Sequence, residues 1–111
     1  MREGHVDITL AGASATLAPS LGAAMDLCHR HQSFGALLAK LEAYDLPAAA
    51  DVVHAGLGRP DGERNLTREQ VFTEGLIELT PPLIRFVIML ANGGRPLKPA
   101  EEEKPGGPFA E

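Results

Sequence analysis

The sequence predicts an α+β fold that is mostly helical, with an N-terminal β-hairpin packed on a bundle of about five short helices. Three stretches carry that prediction. Val6, Ile8 and Leu10 alternate with His5, Asp7 and Thr9, the period-two pattern of a half-buried strand. Phe34, Leu37, Leu38 and Leu41 recur at helical spacing behind Ser33, a good N-cap. From Leu83 to Ala91 only Arg85 is charged, so a helix there is apolar on almost every side.

The elements follow in order. Ala11-Gly12-Ala13 reads as a connector, and Ala15 and Leu17 mark the inner face of a second strand, completing a hairpin. A lone hairpin is marginal in water, so it must lie on the helices. Pro19-Ser20 opens a first helix with Leu21, Ala24, Met25 and Cys28 as its apolar stripe. The second helix ends at Leu46-Pro47, because the residue before proline is pushed out of the α region. A third runs from about Ala48 to Leu57 with Val52, Val53 and Leu57 inward, and residues 58 to 66 form a turn-rich loop. Thr67 and Gln70 have capping-box spacing at the start of a fourth helix, whose apolar side is Val71, Phe72, Leu76 and Leu79, with Gly75 in its middle. Pro81-Pro82 opens a fifth helix, which Asn92-Gly93-Gly94 stops. Residues 1–93 form one domain on this reading, and 94–111 a disordered tail rich in Pro, Gly and Glu.

The bulk numbers narrow the function classes. A chain of 111 residues, 44% hydrophobic and 23% charged, has the length and composition of one globular domain with a modest core. A net charge of −5 with scattered Lys and Arg is no footprint for nucleic acid. One cysteine rules out a disulfide framework and fits a reducing cytoplasm. The apolar run at 83–91 is about half of the roughly 20 residues that span a bilayer, so no membrane role is expected.

No catalytic constellation is visible. Cys28, His29, His31, His54 and His5 are the residues with metal-ligand chemistry, but on a helix His29 and His31 point roughly 200° apart. A buried cysteine and two surface histidines is the expected reading, with a small metal-binding or regulatory protein as the alternative. Gly56-Leu57-Gly58 lacks a third glycine and a preceding strand, so it reads as a turn rather than a dinucleotide loop. Ser14, Ser20 and Ser33 lack a nucleophile-elbow context, and Glu101-Glu102-Glu103 reads as a solvated run. No metal and no cofactor are expected.

The functional weight falls on the last helix. Leu83, Val87 and Leu90 form one stripe, Ile84, Ile88 and Ala91 a second, and Phe86 and Met89 extend them. Either the helix is wrapped by the others or part of it is exposed and meets a partner. Five short helices and a hairpin are a thin wrapping, which favours mixed use, with Leu83, Phe86, Val87, Met89 and Leu90 as the partner-binding residues. The hairpin edge has no obvious cap and is a place for a second copy to pair.

Several phrases in this order resemble one family. They are the hairpin His5 to Leu17, Pro19-Ser20-Leu21, Ser33-Phe34-Gly35-Ala36-Leu37-Leu38-Ala39-Lys40-Leu41, Asp45-Leu46, Asp51-Val52-Val53-His54-Ala55-Gly56-Leu57, Leu66-Thr67-Arg68-Glu69-Gln70-Val71 and Glu74-Gly75-Leu76. Together they look like the small tail proteins of gene transfer agents and long-tailed phages, of the tail assembly chaperone class, over about residues 5 to 92. The resemblance implies a non-enzymatic cytoplasmic protein that coats the tape-measure protein and helps recruit tail-tube subunits. Some relatives are described as tail-tube components, so a structural subunit retained in the particle is the alternative. The family has no catalytic residues to carry over.

Overall fold

The computed structural model describes residues 4–96. Strands β1 (Val6–Leu10) and β2 (Ala13–Leu17) pair antiparallel, with Val6 opposite Leu17 and Leu10 opposite Ala13. The two-residue link puts Ala11 at φ 52° and Gly12 at φ 84°, the left-handed pair that matches the twist of a hairpin. Val6, Ile8, Leu10 and Leu17 face inward and are buried. On the outer face the Thr16 hydroxyl donates to Asp7 Oδ1 at 2.8 Å, joining directly opposed residues.

Five helices follow: α1 (Leu21–His31), α2 (Phe34–Glu42), α3 (Leu46–Leu57), α4 (Arg64–Glu74) and α5 (Leu76–Ala91), with a 3-10 turn at Asp61–Glu63 before α4. This is the α+β, mostly helical architecture that the patterning predicts. Ser20, Ser33 and Asp45 cap the first three helices, each accepting from the backbone N–H three residues on. Pro47 falls in the first turn of α3, where its missing N–H has no helical partner to lose, so the helix starts earlier than Ala48. The buried Gly56 lets α3 lie against β2. A Cβ there would stand 2.8 Å from Leu17 Cδ2, and its carbonyl accepts from Ala18 N at 2.9 Å.

Three expectations are corrected. The first concerns the joint between the last two helices. Gly75 is not mid-helix: at φ 100° and ψ 136° it ends α4 and turns the chain into α5, a conformation open mainly to glycine. Helix α5 therefore starts at Leu76, and Pro81 and Pro82 lie inside it. Their missing N–H groups leave the carbonyls of Ile77 and Glu78 without i+4 donors, and both of those residues are exposed, so water can satisfy them.

The second correction concerns Thr67, which is not an N-cap. It is buried in the second turn of α4, and its hydroxyl donates to the Glu63 carbonyl at 3.2 Å. The third concerns α1, which turns Ala23, Leu27 and His31 inward and leaves Leu21 and Met25 outside. Two stripes have helical spacing on this helix, and burial chose the one containing a histidine because partners for that histidine exist on α2 and α3.

The core lies around α5, which packs on α2, α3, α4 and β1. Residues 97–111, most of the expected tail, lie outside the described residues.

Candidate partner-binding surface

The residues chosen from sequence divide sharply. Leu83, Phe86, Val87 and Leu90 are buried in the core, and only Met89 is partly exposed. The expectation that they present a contact surface is therefore corrected for the folded monomer. Hairpin and helices together wrap α5, because β1 covers a side that short helices alone leave open.

The apolar surface lies elsewhere. On α1, Leu21 is 79% exposed and Met25 60%, one turn apart on the same face. Ala24 and Cys28, half-buried, continue the stripe. Leu21 and Ala24 form one wall of a cleft of about 300 Å³, and the end of α5, with Leu90, Gly93 and Gly94, forms another. So the first-helix stripe read from sequence exists, but it faces solvent, and the last helix contributes its C-terminal end rather than its middle. Exposed large apolar residues also occur at Tyr44, Leu66, Phe72 and Ile77. Of these, Phe72 was read as inward because it has helical spacing with Val71 and Leu79.

Polar groups inside the bundle do structural work. His31 Nε2 donates to Asp51 Oδ2 at 3.0 Å, and Lys40 Nζ donates to its Nδ1 at 3.0 Å. Asp51 Oδ1 also takes Arg64 Nη1 at 3.1 Å, and Arg64 reaches Asp61 at 3.2 Å and Asp26 at 3.7 Å. One guanidinium thus ties α4 to α1 and α3.

A second network surrounds His54, which is 3% exposed. Thr67 Oγ1 spends its proton on Glu63, so it accepts from both His54 Nδ1 and Arg59 Nη1 at 3.0 Å. Arg59 also donates to Gln70 Oε1 at 2.6 Å. His54 Nε2 is left buried without a partner. Burial first, and then the nearby Arg64 cation, lower the His54 pKa from its ordinary value; Asp61 and Asp51 pull the other way and Arg59 adds to the lowering.

His31 and His54 therefore lock helices together. Among the described residues no group of three His, Cys, Asp or Glu side chains converges as metal ligands. Nor is any helix among them long and apolar enough to cross a membrane. No protein-family model matches this chain, and no curated protein or solved structure matches it.

Proposed function

We propose that this protein is a non-enzymatic binding protein of the tail assembly chaperone class. On this reading it acts in the cytoplasm, without a cofactor, holding the tape-measure protein soluble and helping to recruit tail-tube subunits. The family resemblance of residues 5 to 92 suggests the class. The observation that carries the binding role is the apolar strip of Leu21 and Met25 beside the cleft at the end of α5. A helix bound in such a groove exchanges two wet apolar faces for one dry contact. About 25 cal/mol per Å² of apolar surface buried drives that exchange, and ordering of the partner opposes it.

The test is co-expression with a tape-measure protein, a long helical polypeptide, read as the soluble yield of the complex. Leu21→Ser with Met25→Ser is expected to abolish capture while the thermal midpoint of the free protein stays close to wild type, since exposed positions typically shift stability by about 0.5 kcal/mol or less. Phe86→Ala is the contrasting control, expected to lose about 3–5 kcal/mol of stability because it empties the core. Undiminished capture by the Leu21/Met25 variant would reject this surface. Failure of the wild type to capture the long helical protein at all would reject the class.

A further inference from the structure

The hairpin leaves one strand edge bare. Its two-residue link, Ala11-Gly12, makes Leu10 and Ala13 the hydrogen-bonded pair that closes the loop. Pairing alternates from there. Ile8 with Ala15 and Val6 with Leu17 exchange backbone bonds, while the N–H and C=O groups of Ser14 and Thr16 point away from β1. Among the described residues nothing hydrogen-bonds to those outward backbone groups. The next outward donor, Ala18 N–H, is taken by the Gly56 carbonyl at 2.9 Å, so the open stretch ends at Thr16. Ser14 and Thr16 are exposed, and beyond β1 the strand packs mainly on α3.

Folded chains commonly blunt such an edge with lysine, proline, a bulge or a covering element. Strand β2 reads Ala-Ser-Ala-Thr-Leu, with no charge and no proline, and its register runs without a bulge. The edge on β1 is different. Asp7 lies on it, and Glu74 and Glu78 line the cleft that runs along it, so a second copy there would meet like charge.

We propose that β2 pairs antiparallel with β2 of a second copy, across a two-fold axis at Ala15, joining the two hairpins into one sheet. A bare edge fits another strand, and this edge fits itself. In that register Ser14 lies opposite the partner's Thr16, and Thr16 opposite the partner's Ser14, so both pairs exchange the backbone bonds that each monomer leaves open. Ala15 meets the partner's Ala15 at the close position between those pairs, where Cα atoms approach to about 4.5 Å and a small side chain suits. On the outer face the Ser14 hydroxyl stands opposite the partner's Thr16 hydroxyl, a favourable cross-strand pair. Asp7, on β1, is one strand removed from the seam on each side. The hairpin is already held at both ends, by Gly12 N donating to Glu74 Oε1 at 3.3 Å and by Ala18 N on Gly56, so pairing costs little further ordering. The proposal does not rest on the tail-assembly reading and shares no residue with the α1 surface.

The full chain is sedimented over about 10 μM to 1 mM, a range suited to so short a seam, and amide hydrogen exchange is followed at both ends of that range. The mass is expected to rise from 11.8 kDa towards twice that value. Exchange at Ser14 and Thr16 should slow on the order of tenfold with concentration, while Ala15 and Leu17, bonded inside the hairpin, stay unchanged. Ser14→Lys with Thr16→Lys alters only the outer face of an edge strand but sets lysine opposite lysine in the dimer. It should raise the dissociation constant on the order of a hundredfold. Ser14→Pro removes one outward N–H without touching a bond to β1, and should weaken pairing on the order of tenfold. Circular dichroism checks that each variant is folded, and the exchange pattern of the wild type decides the matter even where a variant is not. Leu21→Ser with Met25→Ser should dimerise like wild type. A wild type that stays monomeric, a dimer that the lysine variant keeps, protection that does not reach Ser14 and Thr16, or a dimer that the Leu21/Met25 variant dissociates would each overturn the proposal.

Discussion

At the scale of single residues, His54 shows how a polar side chain is tolerated inside the bundle. One ring nitrogen is satisfied by Thr67 and the other is left as a bare lone pair in the core. Protonation would place a second N–H and a positive charge at that buried atom, beside the cations Arg64 and Arg59, and this is why its pKa is depressed. The unfolded chain then takes up a proton at higher pH than the folded one. The stability tied to neutral His54 is therefore complete above the unfolded value near 6.5 and is lost as pH falls from there towards the lower folded value. Urea unfolding between about pH 7.5 and pH 5 should show a decline in midpoint that His54→Leu removes in part, leaving the slope due to other groups. A variant with the same pH slope as wild type would contradict this account.

At the scale of elements, the joint between α4 and α5 carries the most consequence. It sets Phe72 and Ile77 on either side of a corner, and it lets α5 start before its two prolines. A residue with a Cβ meets strain at φ 100°, although open space surrounds the position. Gly75→Ala should therefore destabilise by about 1–3 kcal/mol through the backbone alone, with helix content nearly unchanged. Chemical denaturation with a parallel far-ultraviolet circular dichroism spectrum measures both. An unchanged or raised midpoint would mean that the corner relaxes to another conformation.

The same joint shows what sequence patterning can and cannot resolve. A glycine between apolar residues at helical spacing reads as an interrupted helix, and a proline pair reads as a start. Both readings follow from local rules that packing around α5 overrides here. Thr67 misled for a similar reason: Thr followed by Gln three residues later has capping spacing, yet both side chains serve His54 and Arg59 from inside or beside the helix.

At the scale of the whole molecule, Arg64 joins helices far apart in sequence. Its guanidinium meets Asp26 of α1, Asp51 of α3 and Asp61 of the 3-10 turn, while Asp51 also receives His31. The Arg64 and Asp51 side chains are both largely shielded from water, so removing the cation strands a carboxylate. Arg64→Met is expected to cost about 2–4 kcal/mol in urea unfolding, and adding Asp51→Asn to recover part of it. If the double variant is no more stable than the single one, the stranded charge is not the cause.

The hairpin, the first three helices and the Ser33 cap were legible from residues near one another in the chain, because strand alternation and capping act locally, whereas the Asp45 cap and the start of α3 before Pro47 were not read. The apolar character of residues 83–91 was legible too, but not its destination. Whether a greasy helix is wrapped or bare depends on what the hairpin and four other helices bring to it, and that is a property of three-dimensional packing. Hydrophobicity states that a side chain gains by leaving water. Only the tertiary arrangement decided that Phe86 found room inside while Leu21, Met25, Phe72 and Ile77 did not, because a core of fixed volume cannot enclose every apolar stripe that the chain carries.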